Sequence, residues 1–366
     1  MTTAVELLKN LVEIPSPSGK EEKILSYIEK LLEEKKFDFV LRQKNFVAGQ
    51  LKASPKARQA IILSGHVDTV VPGAQADWRY EPTRAVVQGG KIYGLGVSDM
   101  KAGVAGNLLT AFSLVEKEVS PDIWVVGTAR EELDGQGSED FAQWFVNNTH
   151  YESAFCIIAE PTDLEKIYIG QRGNHFMRLT FQGKAAHASD QIHFSESGLG
   201  KASKFLAAID KIAECLAIYK NDRLGLPSFV ATAVTAGDAT SPNKTAAQAQ
   251  VIVDCRLTPE LEADFQNVMT ALARQYHFTY EDVVKPVLST LTDDKIPIIK
   301  LLTELSAAKL TAAVGSNDQG FFEAVGIPTV VFGPGQHAQA HVVNESFVLK
   351  NLEQHVNLLC NFIEKL

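Results

Sequence analysis

Cysteine is scarce: Cys156, Cys215, Cys255 and Cys360 are the four in 366 residues, far apart and without a C-x-x-C pair. That spacing excludes a disulfide framework and a thiolate zinc site, and leaves free thiols, mostly buried. No apolar run reaches the ~18 to 20 residues of a membrane-spanning helix, and residues 1–10 carry no basic stretch ahead of an apolar one, so the expectation is a cytoplasmic protein with no membrane contact. Basic residues are in deficit, 35 Lys plus Arg against 44 Asp plus Glu for a net charge of −9, which argues against nucleic acid as a partner. Internal repeats and low-complexity segments are missing. The glycines of Gly94-Leu95-Gly96 lack a third glycine and a Gly-Lys-Ser/Thr ending, which excludes a phosphate loop.

What is present is enough apolar residue, 45%, for a sizeable core, and a length that suggests two domains at about 150 residues each. Val5, Leu8, Leu11 and Val12 follow the helical period up to Pro15-Ser16-Pro17, and Ser18-Gly19-Lys20-Glu21 reads as a capping box opening a second helix through Ile24, Ile28, Leu31 and Leu32. Short β-rich runs follow at 37–41, 46–51 and 61–64. Strand runs at 92–94, 123–127, 155–159 and 166–170 then alternate with helical stretches at 100–115 and 138–146, which predicts an α/β fold with a mostly parallel sheet. From Arg172-Gly173 the rhythm changes. Residues 176–181 alternate like a half-solvated strand, a long helix is predicted over 198–219, strands over 229–234 and 245–257, a helix over 259–275 and a strand near Phe278. The first rhythm returns with a helix at 296–307, a strand at 328–332 and a closing helix at 346–366. The prediction is a discontinuous catalytic domain, 1–173 with 289–366, and an α+β domain at 174–288 inserted into it.

Five strand ends deliver a histidine or an acid: Gly65-His66-Val67-Asp68, the loop ending Ser98-Asp99-Met100, Glu131-Glu132, Glu160-Pro161, and His341 beyond Gly333-Pro334-Gly335. In an open α/β sheet the ligand crevice lies at the carboxyl ends of the strands, so these residues should converge. Two imidazoles and three carboxylates without thiolates suit a catalytic divalent metal such as zinc. Asp99, Glu132 and Glu160 bring −3 against the +4 of two ions, and one hydroxide would cancel the remaining charge. Glu131 is then the spare carboxylate, free to act as general base. Asp68, two positions after His66, is placed to orient its ring.

These motifs, in this order over essentially the whole chain, resemble the co-catalytic zinc peptidase and deacylase family that includes acetylornithine deacetylase, succinyl-diaminopimelate desuccinylase, glutamate carboxypeptidases and aminoacylases. The resemblance implies two zinc ions, replaceable by cobalt or manganese, with Asp99 bridging, His66 and Glu160 completing one site, and Glu132 and His341 the other. It implies Asp68 behind His66, Glu131 as base, and, with Glu at 160, deacylase or carboxypeptidase activity. The inserted domain resembles the family's lid, through which members form homodimers; His187 in Gly183-Lys184-Ala185-Ala186-His187 would stabilise the oxyanion in the partner's site. Asn243 and Arg256 match residues that hold a substrate carboxylate, and Ser316 and Gly333 lie in loops like the family's substrate-facing ones. Cys255, where the family has Ile or Leu, reads as packing. The remaining histidines, His150, His175, His193, His277, His337 and His355, fall to the surface or the lid. The function implied is hydrolysis of a small N-acyl amino acid in amino-acid biosynthesis, as in acetylornithine deacetylation, with desuccinylase, carboxypeptidase or dipeptidase activity as the alternatives.

Overall fold

Ile61-Ile62-Leu63 and Ile123-Trp124-Val125-Val126 are apolar at every position, so strands built from them need cover on both faces. In the computed structural model, which describes residues 3–53, 57–115, 117–190, 193–313 and 315–366, the two runs lie side by side inside a nine-stranded sheet. Its order is Phe39–Arg42, Phe46–Leu51, Asp122–Thr128, Gln59–His66, Ser153–Ile158, Thr329–Val331, Lys166–Gln171, Thr290–Leu291, with Lys309–Ala313 also paired to Lys166–Gln171. The central strands run parallel, and antiparallel strands flank them.

Alternate residues of Gln59–His66 supply the two cores. Ile61 and Leu63 pack under helices Ala4–Glu13, Glu22–Glu34, Ala102–Leu114 and Leu349–Glu364 through Leu8, Ile28, Leu108 and Leu359. Ala60 and Ile62 face Phe141, Phe145 and Phe322 of helices Gln136–Asn148 and Gln319–Glu323. Each such Leu, Ile or Phe side chain withdrawn from water contributes about 1.5–3 kcal/mol.

The chain divides into two compact units, one of Met1–Ile169, Leu291–Ala312 and Asn317–Leu366, the other of Gly170–Thr290 and Ala313–Ser316. The second has its own antiparallel sheet, ordered Ser228–Ala236, Gln248–Leu257, Gly173–Gln182, Phe278–Asp282. Inward residues Leu179, Phe181, Val251 and Val253 pack with Phe205, Ile212 and Met269 of its helices, and Cys255 is buried among them. Among the described residues no helix is long and apolar enough to cross a membrane.

Several local expectations are corrected. The strand expected at 92–94 is Lys91–Tyr93, and it belongs to a separate three-stranded antiparallel sheet with Ser346–Val348 and Val86–Gln88. The start of the expected closing helix at 346 is that strand, and the helix is Leu349–Glu364. The long helix over 198–219 is two helices, Gly198–Leu206 and Ile209–Leu216, separated at Ala207-Ala208 by a turn that no breaker residue announces. Ser18 does not cap helix Glu22–Glu34, whose N-cap is Glu21 with no side-chain bond to the helix's own amides; the capping box lies at Thr3 and Glu6 instead. His355 is not a surface or lid residue: it is fully buried, stacked at 6.2 Å on Phe332 with Nε2 3.3 Å from Asn107 Oδ1.

Candidate metal centre

A parallel strand ends where its ladder bonds stop, and the residues there are free to turn inward over the sheet edge. Gln59–His66 delivers His66, Asp122–Thr128 leads to Glu131 and Glu132, and Ser153–Ile158 to Glu160. Thr329–Val331 leads, past the short helix His337–Gln339, to His341, held at a left-handed φ of 57°. Asp99 arrives differently, in a tight π-type turn, Val97–Lys101, that follows the small sheet, and its Asp99–Met100 peptide is cis. Its side chain caps no helix.

The structure gathers these side chains into overlapping threes whose donor atoms lie within 4.8 Å: His66 with Asp99 and Glu160, Asp99 with Glu132 and His341, and His66 with Glu131 and Glu132. Asp99 belongs to the first two groups through different oxygens. Its Oδ1 is 3.2 Å from His66 Nε2 and its Oδ2 is 3.5 Å from His341 Nε2. Glu160 Oε1 lies 3.5 Å from His66 Nε2, and Glu132 Oε1 2.8 Å from His341 Nε2. Asp68, fully buried, sits behind His66, with its carbonyl 3.0 Å and its Oδ1 3.5 Å from Nδ1. The same carboxylate accepts the N–H of Glu131 at 3.1 Å and of Glu132 at 3.2 Å, so it ties the acidic turn to the histidine strand.

Titration behaviour follows from this crowding. Burial, with Asp99 and Glu131 beside it, pushes the Glu160 carboxyl well above its usual range, and burial with Asp318 and Glu132 does the same to Glu131. Burial opposes protonation of His66, but Glu160, Asp68 and Asp99 together hold it raised. His341 is raised by its bond to Glu132. Two imidazoles among five carboxylates, of which burial makes Glu131 and Glu160 reluctant to ionise, form a site short of positive charge. Nitrogen and oxygen donors of this kind suit a borderline divalent ion, so the residues present fit two metal ions sharing Asp99.

The other predicted residues are placed as follows. Gly333 has both polar atoms engaged, its N–H donating to Thr162 Oγ1 at 3.1 Å and its carbonyl accepting from Thr162 and Leu164. A Cβ there would stand 2.1 Å from the Ala159 carbonyl and 2.5 Å from that of Glu160, so only glycine permits this approach. In the second unit His187 is exposed, with Nδ1 2.6 Å from Ser189 Oγ and Nε2 3.2 Å from Asn243 Nδ2. Arg256 pairs with Asp254 at 2.8 Å and reaches Ser316 Oγ at 3.4 Å; Ser316 also accepts from Asn174 at 2.8 Å.

Three residues near the centre carried no sequence signal of their role. Ser18, expected as a helix cap, donates to Asp68 Oδ2 at 2.7 Å. Asp318, in the loop after Ser316, is buried against Ser138, and burial pushes its carboxyl up to about 7. Glu345 follows His341 by four residues and accepts three backbone N–H groups.

Comparison with known proteins agrees with the fold and the pattern. The chain is 24% identical to a succinyl-diaminopimelate desuccinylase of Wolbachia pipientis wMel, over 98% of this chain and 92% of that protein. It is also 24% identical to an acetylornithine deacetylase of Aliivibrio fischeri, over 83% of this chain and 81% of that protein. Among solved structures, an M20 family metallo-carboxypeptidase from Sulfolobus solfataricus superposes with a TM-score of 0.79 at 16% identity, covering 100% of this chain and 99% of that one. A dinuclear metal binding M20 peptidase of Bacillus subtilis superposes with a TM-score of 0.70 at 16% identity, covering 99% and 97%. The sequence pattern of peptidase family M20/M25/M40 matches residues 62–365, and the chain belongs to that family of metal-dependent amidohydrolases.

Proposed function

We propose that this protein is a dinuclear zinc hydrolase that cleaves the amide bond of a small N-acyl amino acid, in the manner of acetylornithine deacetylation, releasing a carboxylate and a free amine. The observation that carries this reading is Asp99, whose two oxygens face two different imidazoles in two overlapping donor groups, while Glu131 stands in a third. His66, Asp99 and Glu160 would hold one ion, and Asp99, Glu132 and His341 the other. When bound, the metal pair supplies Lewis acidity toward the amide oxygen and toward water. Glu131 takes a proton from the attacking water and passes it to the departing nitrogen. Burial suits it to that task, because a carboxylate whose pKa is held above its usual range is a stronger base toward the water proton. Asp68 fixes the ring of His66 and the backbone of the base.

We assign residues of the second unit, together with Gly333 of the first, to the substrate. Arg256 and Asn243 hold its carboxylate, with Ser316 beside the guanidinium, and Gly333 shapes the wall next to Glu160. The segment 174–288 is read as the lid and dimerisation domain, and His187 as the oxyanion donor for the partner of a cytoplasmic homodimer. The relatives support two finer readings equally, desuccinylation and deacetylation, and the structural neighbour named as a carboxypeptidase keeps peptide cleavage as the second. Amine release from matched N-acetyl, N-succinyl and dipeptide substrates, before and after exhaustive chelation, tests the proposal. The N-acetyl series should be fastest, and zinc, cobalt or manganese should restore the chelated protein. Full turnover by protein shown to be metal-free by elemental analysis would refute it.

A further inference from the structure

Glu345 is 1% exposed, yet its carboxylate belongs to none of the donor groups. It directly precedes strand Ser346–Val348, whose antiparallel partner Lys91–Tyr93 runs into the glycine loop at 94–99. Across that pairing Oε2 accepts the Gly96 N–H at 2.7 Å, and Oε1 accepts those of Ser98 at 2.6 Å and Asp99 at 3.0 Å. The Glu345 carbonyl accepts the Gly94 N–H at 3.2 Å as well. Successive amides converging on one anion form the kind of concavity that commonly binds a free phosphate or carboxylate. Here a side chain of the chain itself fills it.

The loop needs such an anchor. Gly94 and Gly96 carry the largest backbone freedom of any residue type, and Gly96 sits at a left-handed φ of 74°. Bonds from three amides hold the loop's backbone toward Glu345, which leaves the Asp99 side chain aimed at His66 and His341. The same short segment holds the other end of the centre. Ser346 donates through both its N–H and its hydroxyl to Gln339 Oε1 at 3.0 Å, and so ties down the turn that presents His341.

We propose that Glu345 is a positioning residue that locks the glycine loop so that Asp99 offers one oxygen to each donor group, and that both metal positions therefore depend on it. The inference rests on the reading of Asp99 as the shared ligand. Partners one layer behind the ligands typically govern metal affinity by about 10–100-fold.

The test is competition between the full-length, metal-loaded protein and a chelator of known zinc affinity. Glu345→Gln places an amide NH2 against backbone N–H groups, and should raise the zinc dissociation constant of both equivalents by about 10–100-fold. Glu345→Asp keeps a carboxyl group with a shorter reach and should fall between. A role in folding alone would lower the melting temperature and leave the dissociation constants within twofold of the unaltered protein, which would overturn the proposal. Where Glu345→Gln fails to fold, Glu345→Asp carries the measurement; failure of both to fold would make Glu345 a stability residue and equally overturn it. Asp99→Asn is the reference. Retention of both zinc equivalents by that variant would refute the ligand reading itself, whereas its loss of zinc with unaltered affinity in the Glu345 variants would refute the lock alone.

Discussion

The two units treat their chemistry-bearing side chains differently, with the exposed His341 as the exception in the first. In the first, His66 and Asp68 are 1% and 0% exposed, and the carboxylates of Asp68, Asp99 and Glu132 are held by backbone amides or by an imidazole. In the second, His187 and Asn243 are exposed and touch little beyond each other and Ser189. Burial fixes geometry and perturbs titration, as metal holding and proton transfer require. Exposure leaves a side chain free to meet something that arrives from outside, such as a substrate or a partner subunit. The contrast is physical: the strands that lead to His66, Glu131-Glu132 and Glu160 are covered by helices on both faces, whereas His187 and Asn243 sit on exposed loops of the second unit.

The contrast is tested most severely at the acidic turn. Glu131→Gln should lower kcat by about two to four orders of magnitude, the span of a lost general base, with metal content unchanged by elemental analysis. Glu132→Gln should instead lose metal. The reverse pattern would exchange the two roles. His187→Ala should lower kcat by roughly 10²–10³ through loss of an oxyanion donor, with melting temperature and zinc content unaltered because the residue packs against so little. Mixing it with Glu131→Ala under subunit exchange should restore activity, since one site of each heterodimer would then keep both residues. No recovery from proven heterodimers would place His187 outside its partner's site.

Smaller effects are expected further out. Arg256→Lys should lower kcat/KM by about 10- to 100-fold on carboxylate-bearing substrates, because an ammonium cannot reproduce two parallel bonds to a carboxylate. Equal efficiency on a substrate whose carboxylate is amidated would assign Arg256 elsewhere, for instance to Asp254, with which it pairs already. The smallest effect separates burial from function. His355 lies in the core, and burial pulls its pKa down to about 3 from 6.5. Below pH 6.5 the unfolded chain binds a proton that the folded protein refuses, so folding stability falls with pH between 6.5 and 3. By pH 5 the loss is about 2 kcal/mol. His355→Gln should lose about that much less stability than the unaltered protein between pH 7.5 and 5, at equal zinc, in urea unfolding. Parallel pH profiles would show that His355 does not titrate.

Where the comparison could be foreseen and where it could not follows from the range of the interactions. Chain order alone brought His66, Asp99, Glu131-Glu132, Glu160 and His341 into view, because a strand end followed by a polar residue is a pattern a few positions long. Apolar strands without alternation announced a sheet covered on both faces for the same reason. Ser18 misled, since a serine three residues before a glutamate is the local code of a helix start, and its bond to a residue 50 positions away leaves no local trace. Glu345 was silent because its three amide partners lie 246 to 249 positions upstream. His355 read as a surface histidine because nothing near it in the chain reveals that Phe332 and Asn107 will enclose it.

The sequence by itself determined the class of fold, the family pattern and the choice of candidate donors, since periodicity, turn chemistry and residue type are all local properties. Tertiary structure decided how the donors face one another. It placed Asp99 on a turn after a small separate sheet rather than at the end of a central strand, and set its two oxygens toward two imidazoles. It also recruited Ser18 and Glu345 from distant segments to hold that arrangement. The reason is that a buried carboxylate is stable only where its hydrogen bonds are made, and the amides that make them are brought near by folding, not by proximity in the chain.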